Sequence, residues 1–506
     1  MIKRCSALIL FASASILMAQ APPPQATPPA QLPLSGRSAQ GGSVNTAVTP
    51  VPGVTSSVNT INTTVQVSGP YAGSMSGAAK PFTGKLSFRD AISRALQYNL
   101  GTEGVSEAMR QARGQALVAR SSLMPNLNGY LRESVEQVNL EALGFRFHID
   151  FPGISIPTIV GPFNYYDLRA TLTQTVADIT ALNNYRSARE LVKANEASLR
   201  DARDLVVLAA GGAYLQVQAA EARVRSANAQ IDTAQALFKQ TQERRGVGLN
   251  PQIDVNRSQV QLRTEQQRLM SLQNDVSKQK INLARIVGLP ANDNYEITDE
   301  IPYSAPPDLT VDQALKRAYE DRADLQAAAA QVRAAERARG AAHWERAPSL
   351  AFSADYGAIG INPGQSHETF TVIGTLRIPI YQGGRVSGET QEADAALDQR
   401  RAELQDVRGR IEADVRDAFL DLQTAGSQLE VSRENQKVAR ETLALTRQRF
   451  EAGIADAVEV TQAQQDVASA DLDYITGVFA HNLSKIALAR AMGKAEDHLS
   501  QFLQLP

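Results

Sequence analysis

Five histidines, His148, His343, His367, His481 and His498, are the side chains best suited to metal ligation or acid–base chemistry in this 506-residue chain. They are scattered without ligand spacing, and no His-Glu-x-x-His pair, phosphate-cradling Gly-rich loop or nucleophile elbow accompanies them. The single cysteine, Cys5, lies in the charged start of an N-terminal leader and is lost with it, which removes disulfides, thiolate metal sites and a lipid anchor from the mature chain. No catalytic, cofactor-binding or metal-binding residue is therefore assigned. The sequence reads as a protein that is not an enzyme and carries no cofactor.

Charge points the same way. Lys and Arg number 51 against 53 Asp and Glu, with no long run of either sign, so nothing electrostatic invites nucleic acid. Lys3 and Arg4 precede the apolar run SALILFASASILMA, and small residues follow at Ala19 and Ala21. This pattern predicts a secretory signal peptide over residues 1–19, cut after Ala19 rather than before Pro22. The run is too short for a spanning helix, which needs roughly 20 apolar residues. Residues 20–82 are rich in Pro, Gly, Ser and Thr and lack periodicity, so they are expected to be a disordered arm, with ordered structure starting near Leu86.

From Leu86 onward the chain is written twice. Residues 86–127 match 309–350, and residues 206–288 match 411–493, so that AYLQVQAA meets AFLDLQTA and KINLARIVG meets KIALARAMG. The register changes once, which places extra residues of the first copy between 128 and about 171. The resulting division is a first repeat, 83–305, a second repeat, 306–494, and a tail, 495–506. Each copy reads as two short helices, two strands, a very long helix, a tight turn and a returning helix. In the first long helix, expected from about Asn184 to Arg245, apolar residues recur at Val206, Ala210, Ala213, Val217, Ala220, Val224, Ala227, Ile231, Ala234 and Phe238. Alternating steps of four and three make a heptad seam, and roughly 60 residues at about 1.5 Å each make a rod near 90 Å long. The second seam runs from Ile411 to Leu443 but carries Ser432 and Gln436, which would suit a wet lumen or a partner contact.

The strands carry a period of two. Tyr166, Leu168, Ala170, Leu172 and Val176 share one face, as do Phe370, Val372, Gly374, Leu376, Ile378 and Ile380, with polar residues opposite. About 10 such residues suit a tilted strand crossing a bilayer with its polar side toward a lumen. Aromatic residues cluster around both hairpins, among them Phe145, Phe147, Phe151 and Phe163 in the first and Phe352, Tyr356 and Tyr381 in the second. A four-stranded sheet with open edges is not viable in lipid, where every backbone N–H and C=O needs a partner. Several copies must share one barrel, and periodicity does not choose between two, three and four.

These features resemble the TolC-type outer-membrane efflux proteins. The resemblance rests on the repeat openings LSFRDAISRALQYN and LTVDQALKRAYEDR, on Pro125 and Pro348 at the entries to strand, on LRIPIYQGGR, and on the turns GVGLNPQIDV and EAGIADAVEV. It covers about 86–493. It implies a mixed, mainly α membrane protein in which long coiled-coil helical hairpins form a periplasmic tunnel. Four transmembrane β-strands per chain would join a homotrimeric, 12-stranded β-barrel. It further implies an outer-membrane channel of a tripartite efflux or type I secretion system, with a periplasmic adaptor and an inner-membrane pump as partners. The adaptor-contacting tips would be Gly246, Val247, Gly248 and Leu249, and Ala452, Gly453, Ile454 and Ala455. The gate acids match Asp254 and Glu459, while Gln462 stands where some relatives have a further carboxylate, which weakens the case for a strongly acidic gate. Arg244 and Arg449 are expected to ion-pair and hold the tips together. The competing class is a structural coiled-coil protein of the periplasm or cell surface, which would extract without detergent.

Overall fold

The computed structural model describes residues 42–48, 63–75, 82, 84–144, 157–290, 295–299, 303–305 and 309–503. The leader, the loop residues Phe145, Phe147, His148 and Phe151, and the side chain of His498 lie outside that description. The chain divides into a strand unit, built from Ser121–Asp178 and Ala347–Ile378, and a helical unit formed by most of the rest.

In the helical unit the duplication holds residue for residue. The first repeat contributes α1 (Phe88–Tyr98), α2 (Leu100–Ser121), α3 (Ile179–Gly246) and α4 (Gln252–Val287). The second contributes α5 (Val311–Asp321), α6 (Ala323–Trp344), α7 (Arg385–Glu451) and α8 (Ala457–Met492), followed by α9 (Ala495–Leu503). Helices α3 and α7 have 68 and 67 residues, and α4 and α8 have 36 each, so insertions were confined elsewhere. The local signals repeat as well. Ser87 caps α1 by accepting from Asp90 N at 3.0 Å, and Thr310 caps α5 in a reciprocal box with Gln313. Gly288 ends α4 and Gly493 ends α8, both at positive φ.

The heptad seam is the buried stripe. Val206, Ala210, Val217, Ala220, Ala227 and Ala234 on α3 are buried, as are Ile411, Val415, Leu422, Ala425 and Leu429 on α7. Within the chain the polar pair in the second seam has partners of its own. Ser432 is buried with its Oγ donating to Leu429 O at 2.9 Å, and Gln436 Nε2 donates to Asp471 Oδ1 of α8 at 2.8 Å. Asp471 also accepts from Arg440 at 2.8 Å and from Ser226 of α3 at 3.0 Å, so the polar residues tie three helices together.

The N-terminal stretch is not structureless throughout. Strands β1 (Val44–Val48) and β2 (Thr63–Val67) pair antiparallel, Val44 and Tyr71 are buried, and Asn99 Nδ2 donates to Tyr71 O at 2.8 Å. Gly212 provides the physical reason. A Cβ there would stand 2.3 Å from Val65 Cγ2, so β2 lies directly on α3 at a place only glycine permits. A short parallel pair, β3 (Gly84–Leu86) with β6 (Tyr295–Ile297), closes the first repeat.

The strand unit is one antiparallel sheet in the order β4 (Asn126–Asn139), β5 (Ile159–Ala177), β7 (Ser349–Gly360), β8 (Ser366–Arg377). The first hairpin is the longer, β5 having 19 residues against 12 in β8, where the change of register required it. Leu127 pairs with Leu172, and their counterparts Leu350 and Leu376 pair with each other, so the two hairpins are equivalent in register. Ile378 and Ile380 fall beyond β8 rather than within it.

Candidate functional site

Two places concentrate structure that packing alone does not require: the paired helical turns and the two faces of the sheet. Each long helix ends in the same motif. Gly248, at φ 80°, donates its N–H to Arg245 O at 2.9 Å while Leu249 N donates to Arg244 O at 2.8 Å. Gly453, at φ 77°, donates to Phe450 O at 3.0 Å while Ile454 N donates to Arg449 O at 2.9 Å. Both are Schellman closures, which satisfy the last carbonyls of a helix and need a left-handed residue. Asp456 then caps α8, accepting from Glu459 N at 2.9 Å. The turns leave Val247, Leu249 and Ile454 about 70% exposed (72%, 68% and 70%).

The two arginines act differently from each other. Arg449 Nη1 meets Glu459 Oε2 at 3.2 Å, an exposed ion pair between α7 and α8. Among the described residues Arg244 meets no carboxylate, unlike the ion pair expected of it. Its Nη1 donates to Phe450 O at 2.6 Å and its guanidinium lies 4.9 Å from the centre of the Phe450 ring, fastening the first turn to the second. Phe450 is itself buried with Leu237, Ala457 and Val460. Asp254 stands in the first turn of α4, where it meets Arg257 at 3.9 Å, and Gln462 Nε2 donates to Asp466 Oδ1 at 3.0 Å. A groove of about 520 Å³ separates α4 from α8 here, lined by Ile253, Arg257, Val260, Val458, Gln462 and their neighbours.

The sheet sorts most of its side chains by face, although Glu133 and Glu368 stand among the apolar residues and Ile373 among the polar ones. Leu127, Leu131 and Val135 of β4, Leu168 and Leu172 of β5, Tyr356 of β7, and Phe370, Val372 and Leu376 of β8 occupy one face, most of them widely exposed. On the other face Arg169 bridges three strands. It pairs with Asp167 at 3.1 Å and with Asp355 of β7, and its Nη2 donates to Thr369 Oγ1 of β8 at 3.3 Å. Asn128, Thr171 and Thr371 share that face. Among the described residues β4 pairs with β5 alone and β8 with β7 alone, leaving two open edges.

The sequence pattern of the family described as outer membrane efflux protein matches residues 92–289 and 314–494. The chain belongs to this family. It is similar to the outer membrane protein OprJ of Pseudomonas aeruginosa, 24% identical over 461 residues that span 85% of this chain and 91% of OprJ. Its structure resembles the outer membrane channel CmeC of Campylobacter jejuni, with a TM-score of 0.69, 14% identity, and coverage of 86% of this chain and 95% of CmeC. It also resembles the outer membrane protein VceC of Vibrio cholerae, with a TM-score of 0.67, 18% identity, and coverage of 80% and 96%. The chain is an outer-membrane efflux protein, and its mainly α fold with a four-stranded sheet is that of outer-membrane channels.

Three features of this efflux protein escaped sequence reading. Phe450 as the partner of Arg244 is one, because nothing local separates it from other seam residues. The exposed apolar groove residues Ile253, Val260 and Val458 are another; their signal is an apolar side chain off the heptad register. The third is a set of buried titratable groups at the far end of α8. His481 and Lys485 are both fully buried, one turn apart. Burial and the neighbouring Lys485 charge push His481 down to about 4, and burial pushes Lys485 down to about 8 with its Nζ 2.6 Å from Ser304 Oγ. Asp204 on α3, accepting from Lys494 N at 3.2 Å, is pushed up to about 6 by burial.

Proposed function

We propose that three copies of this chain close a 12-stranded barrel in the outer membrane and continue it with their long helices as a periplasmic tunnel. The result is a passive conduit for what an inner-membrane pump and a periplasmic adaptor deliver, in a tripartite efflux or type I secretion assembly. The observation that carries this reading is the sheet: one face mostly apolar and exposed, the other charged and hydrogen-bonded, and, among the described residues, both edges open. Lipid favours the first face, water the second, and the edges require neighbours because an unpaired strand edge in hydrocarbon leaves several polar groups without partners.

On this reading the turns at Gly246–Leu249 and Ala452–Ala455 are the adaptor-contacting tips, and their exposed Val247, Leu249 and Ile454 give an adaptor apolar surface to cover. Asp254, Glu459 and Gln462, with Arg244 and Arg449, form the periplasmic gate. Glu459 is engaged by Arg449, and Gln462 by Asp466, so the gate is a mixed polar ring rather than an acidic one. The test is the mass of the detergent-extracted particle together with its conductance in a planar bilayer. A trimeric, conducting particle is expected. A monomer soluble without detergent overturns the proposal.

A further inference from the structure

Because the chain is duplicated, a hollow in one repeat can be compared with the same place in the other. In the first repeat that place is solid. Tyr214 of α3 is buried, with its ring 5.2 Å from that of Phe88 and its hydroxyl donating to Leu86 O at 3.2 Å. Beside it Lys280 of α4 pairs with Glu221 of α3 at 2.8 Å, and the buried Tyr295 donates its hydroxyl to Lys280 O at 2.6 Å.

In the second repeat the same place is a cavity of about 620 Å³ between α7, α8 and the segment carrying Tyr303 and Leu309. Tyr214, Glu221 and Val276 correspond to Phe419, Gly426 and His481, and Lys280 corresponds to Lys485. The carboxylate that serves the lysine in the first copy is thus missing from the second, and the glycine leaves its volume open: a Cβ at Gly426 would meet only His481 Cδ2, at 3.9 Å. Lys485 is fully buried and donates to Ser304 O and Oγ, the latter at 2.6 Å, but among the described residues it meets no carboxylate. His481, also fully buried, lines the cavity. Neither of its ring nitrogens makes a hydrogen bond of good geometry among the described residues, Asn482 being the polar neighbour beside the ring. Buried polar groups are seldom left in that condition. The rest of the lining is mostly apolar, with Leu422 and Leu429 buried and the rings of Phe419, Tyr474 and Tyr303 around them, while exposed Glu430 and Arg433 complete it.

We propose that this cavity binds a small organic monocarboxylate. Its carboxylate takes the place that Glu221 fills in the first repeat and accepts the N–H of His481, and its apolar body lies against Leu422, Leu429 and the aromatic rings. A neutral imidazole has one N–H to give. The Lys485 charge, one turn further along α8 and without a counter-ion among the described residues, favours an anion over a neutral or cationic guest at this depth. The size and the lining, apolar with a few convergent polar groups, are those of sites that take small molecules. The site does not depend on how many chains share the barrel, so its failure leaves the channel reading untouched.

The test is equilibrium dialysis of naphthoate against the full chain in detergent, with empty micelles at equal concentration in the opposite chamber so that partition into detergent cancels. Saturable binding is expected, and naphthamide, of the same shape without the charge, should bind at least about tenfold more weakly. Gly426→Glu puts the first-repeat residue into the hollow and gives Lys485 a carboxylate. It should weaken naphthoate binding at least about tenfold while particle mass and thermal midpoint stay at or above those of the unaltered chain. His481→Val keeps the hollow but removes the donor, so naphthoate should lose its advantage over naphthamide. Should Gly426→Glu fail to fold, this second variant decides alone. Absence of saturable binding, equal affinity for acid and amide in the unaltered chain, or undiminished naphthoate binding in either folded variant overturns the proposal.

Discussion

Replacing Gly453 with valine should open the second turn far more than the same change at Gly248 opens the first. Both glycines hold φ near +80°, where a side chain costs about 1–2 kcal/mol and a β-branched one at least that. At Gly248 a Cβ meets nothing within 4 Å, so this strain is the whole cost. At Gly453 a Cβ would sit 3.7 Å from Arg244 Nη2, at ordinary contact distance, so a γ carbon turned toward the guanidinium crowds it. If Arg244 yields its place on Phe450, the turn also loses a charge-assisted hydrogen bond worth about 1.5–3 kcal/mol and a ring contact worth about 0.5–1 kcal/mol. The expected totals are about 1–2 kcal/mol for Gly248→Val and about 3–6 kcal/mol for Gly453→Val. Hydrogen exchange of peptides covering 244–250 and 449–456 reads this directly, since each 1.4 kcal/mol is about tenfold in opening. Gly248→Val should accelerate exchange about tenfold in its own turn. Gly453→Val should do so by about a hundredfold or more and in both turns, while Gly453→Asn, tolerant of positive φ, changes little. Export should fall in both valine variants with oligomer mass unchanged. Equal and separate effects of the two valines would refute the tether between the turns, and normal export would count against the tips as adaptor contacts.

Arg244→Ala and Phe450→Ala should be non-additive by about 1–2 kcal/mol in local opening of the turns, measured by a double-mutant cycle on the same exchange data. Asp471→Ala should lower the denaturant midpoint by the equivalent of about 2–4 kcal/mol, because it strands the Ser226 and Gln436 donors it now accepts from, whereas Arg440→Ala, on the exposed side of that cluster, should cost under about 1 kcal/mol. His481, whose folded value near 4 lies below its unfolded 6.5, lets the unfolded chain bind the proton first. Its contribution is full above pH 6.5 and is lost, by up to about 3 kcal/mol, as pH falls toward 4. Asp204, raised to about 6, works in the opposite sense over nearly the same window, so His481→Leu should convert a flat stability profile between pH 4 and 6.5 into one that rises on acidification, as followed by thermal unfolding.

Elements whose partners are local in sequence, or repeated in it, were legible; those fixed by a distant residue were not. The α3 seam could be read because alanine at every second heptad position has no purpose except close helix approach. The alternation of β5 could be read because one face meets lipid and the other meets Arg169 and its acids. For Ser432 and Gln436, periodicity reports which face they occupy but not that Asp471, on another helix, waits beside them. The order of β1 and β2 was missed for a similar reason: its cause is Gly212, more than a hundred residues away, and the arm itself has too little apolar surface to announce a fold. Arg244 was given a carboxylate partner since charge is what a sequence displays, whereas a carbonyl and a ring are everywhere and carry no signal.

The departures between the two repeats have a common direction. A chain of two identical repeats would build a ring in which every hairpin is equivalent and moves alike. Here the first hairpin enters α3 through the single residue Asp178, while the second reaches α7 through seven residues that include Gly383 and Gly384 at positive φ. The arm packs on α3 at Gly212, and the counterpart Asp417 offers β2 no such seat. At the turns, the second hairpin has an internal ion pair that, being exposed, contributes about 0–1 kcal/mol, and it is held to the first by Arg244 on Phe450 at several times that value. The second hairpin is thus joined to the first both at the turns, by Arg244 on Phe450, and midway, by Ser226 on Asp471. On the proposed reading, opening the tunnel means releasing the second hairpin from the first at the turns, and the bond that resists it there is the one Arg244 makes.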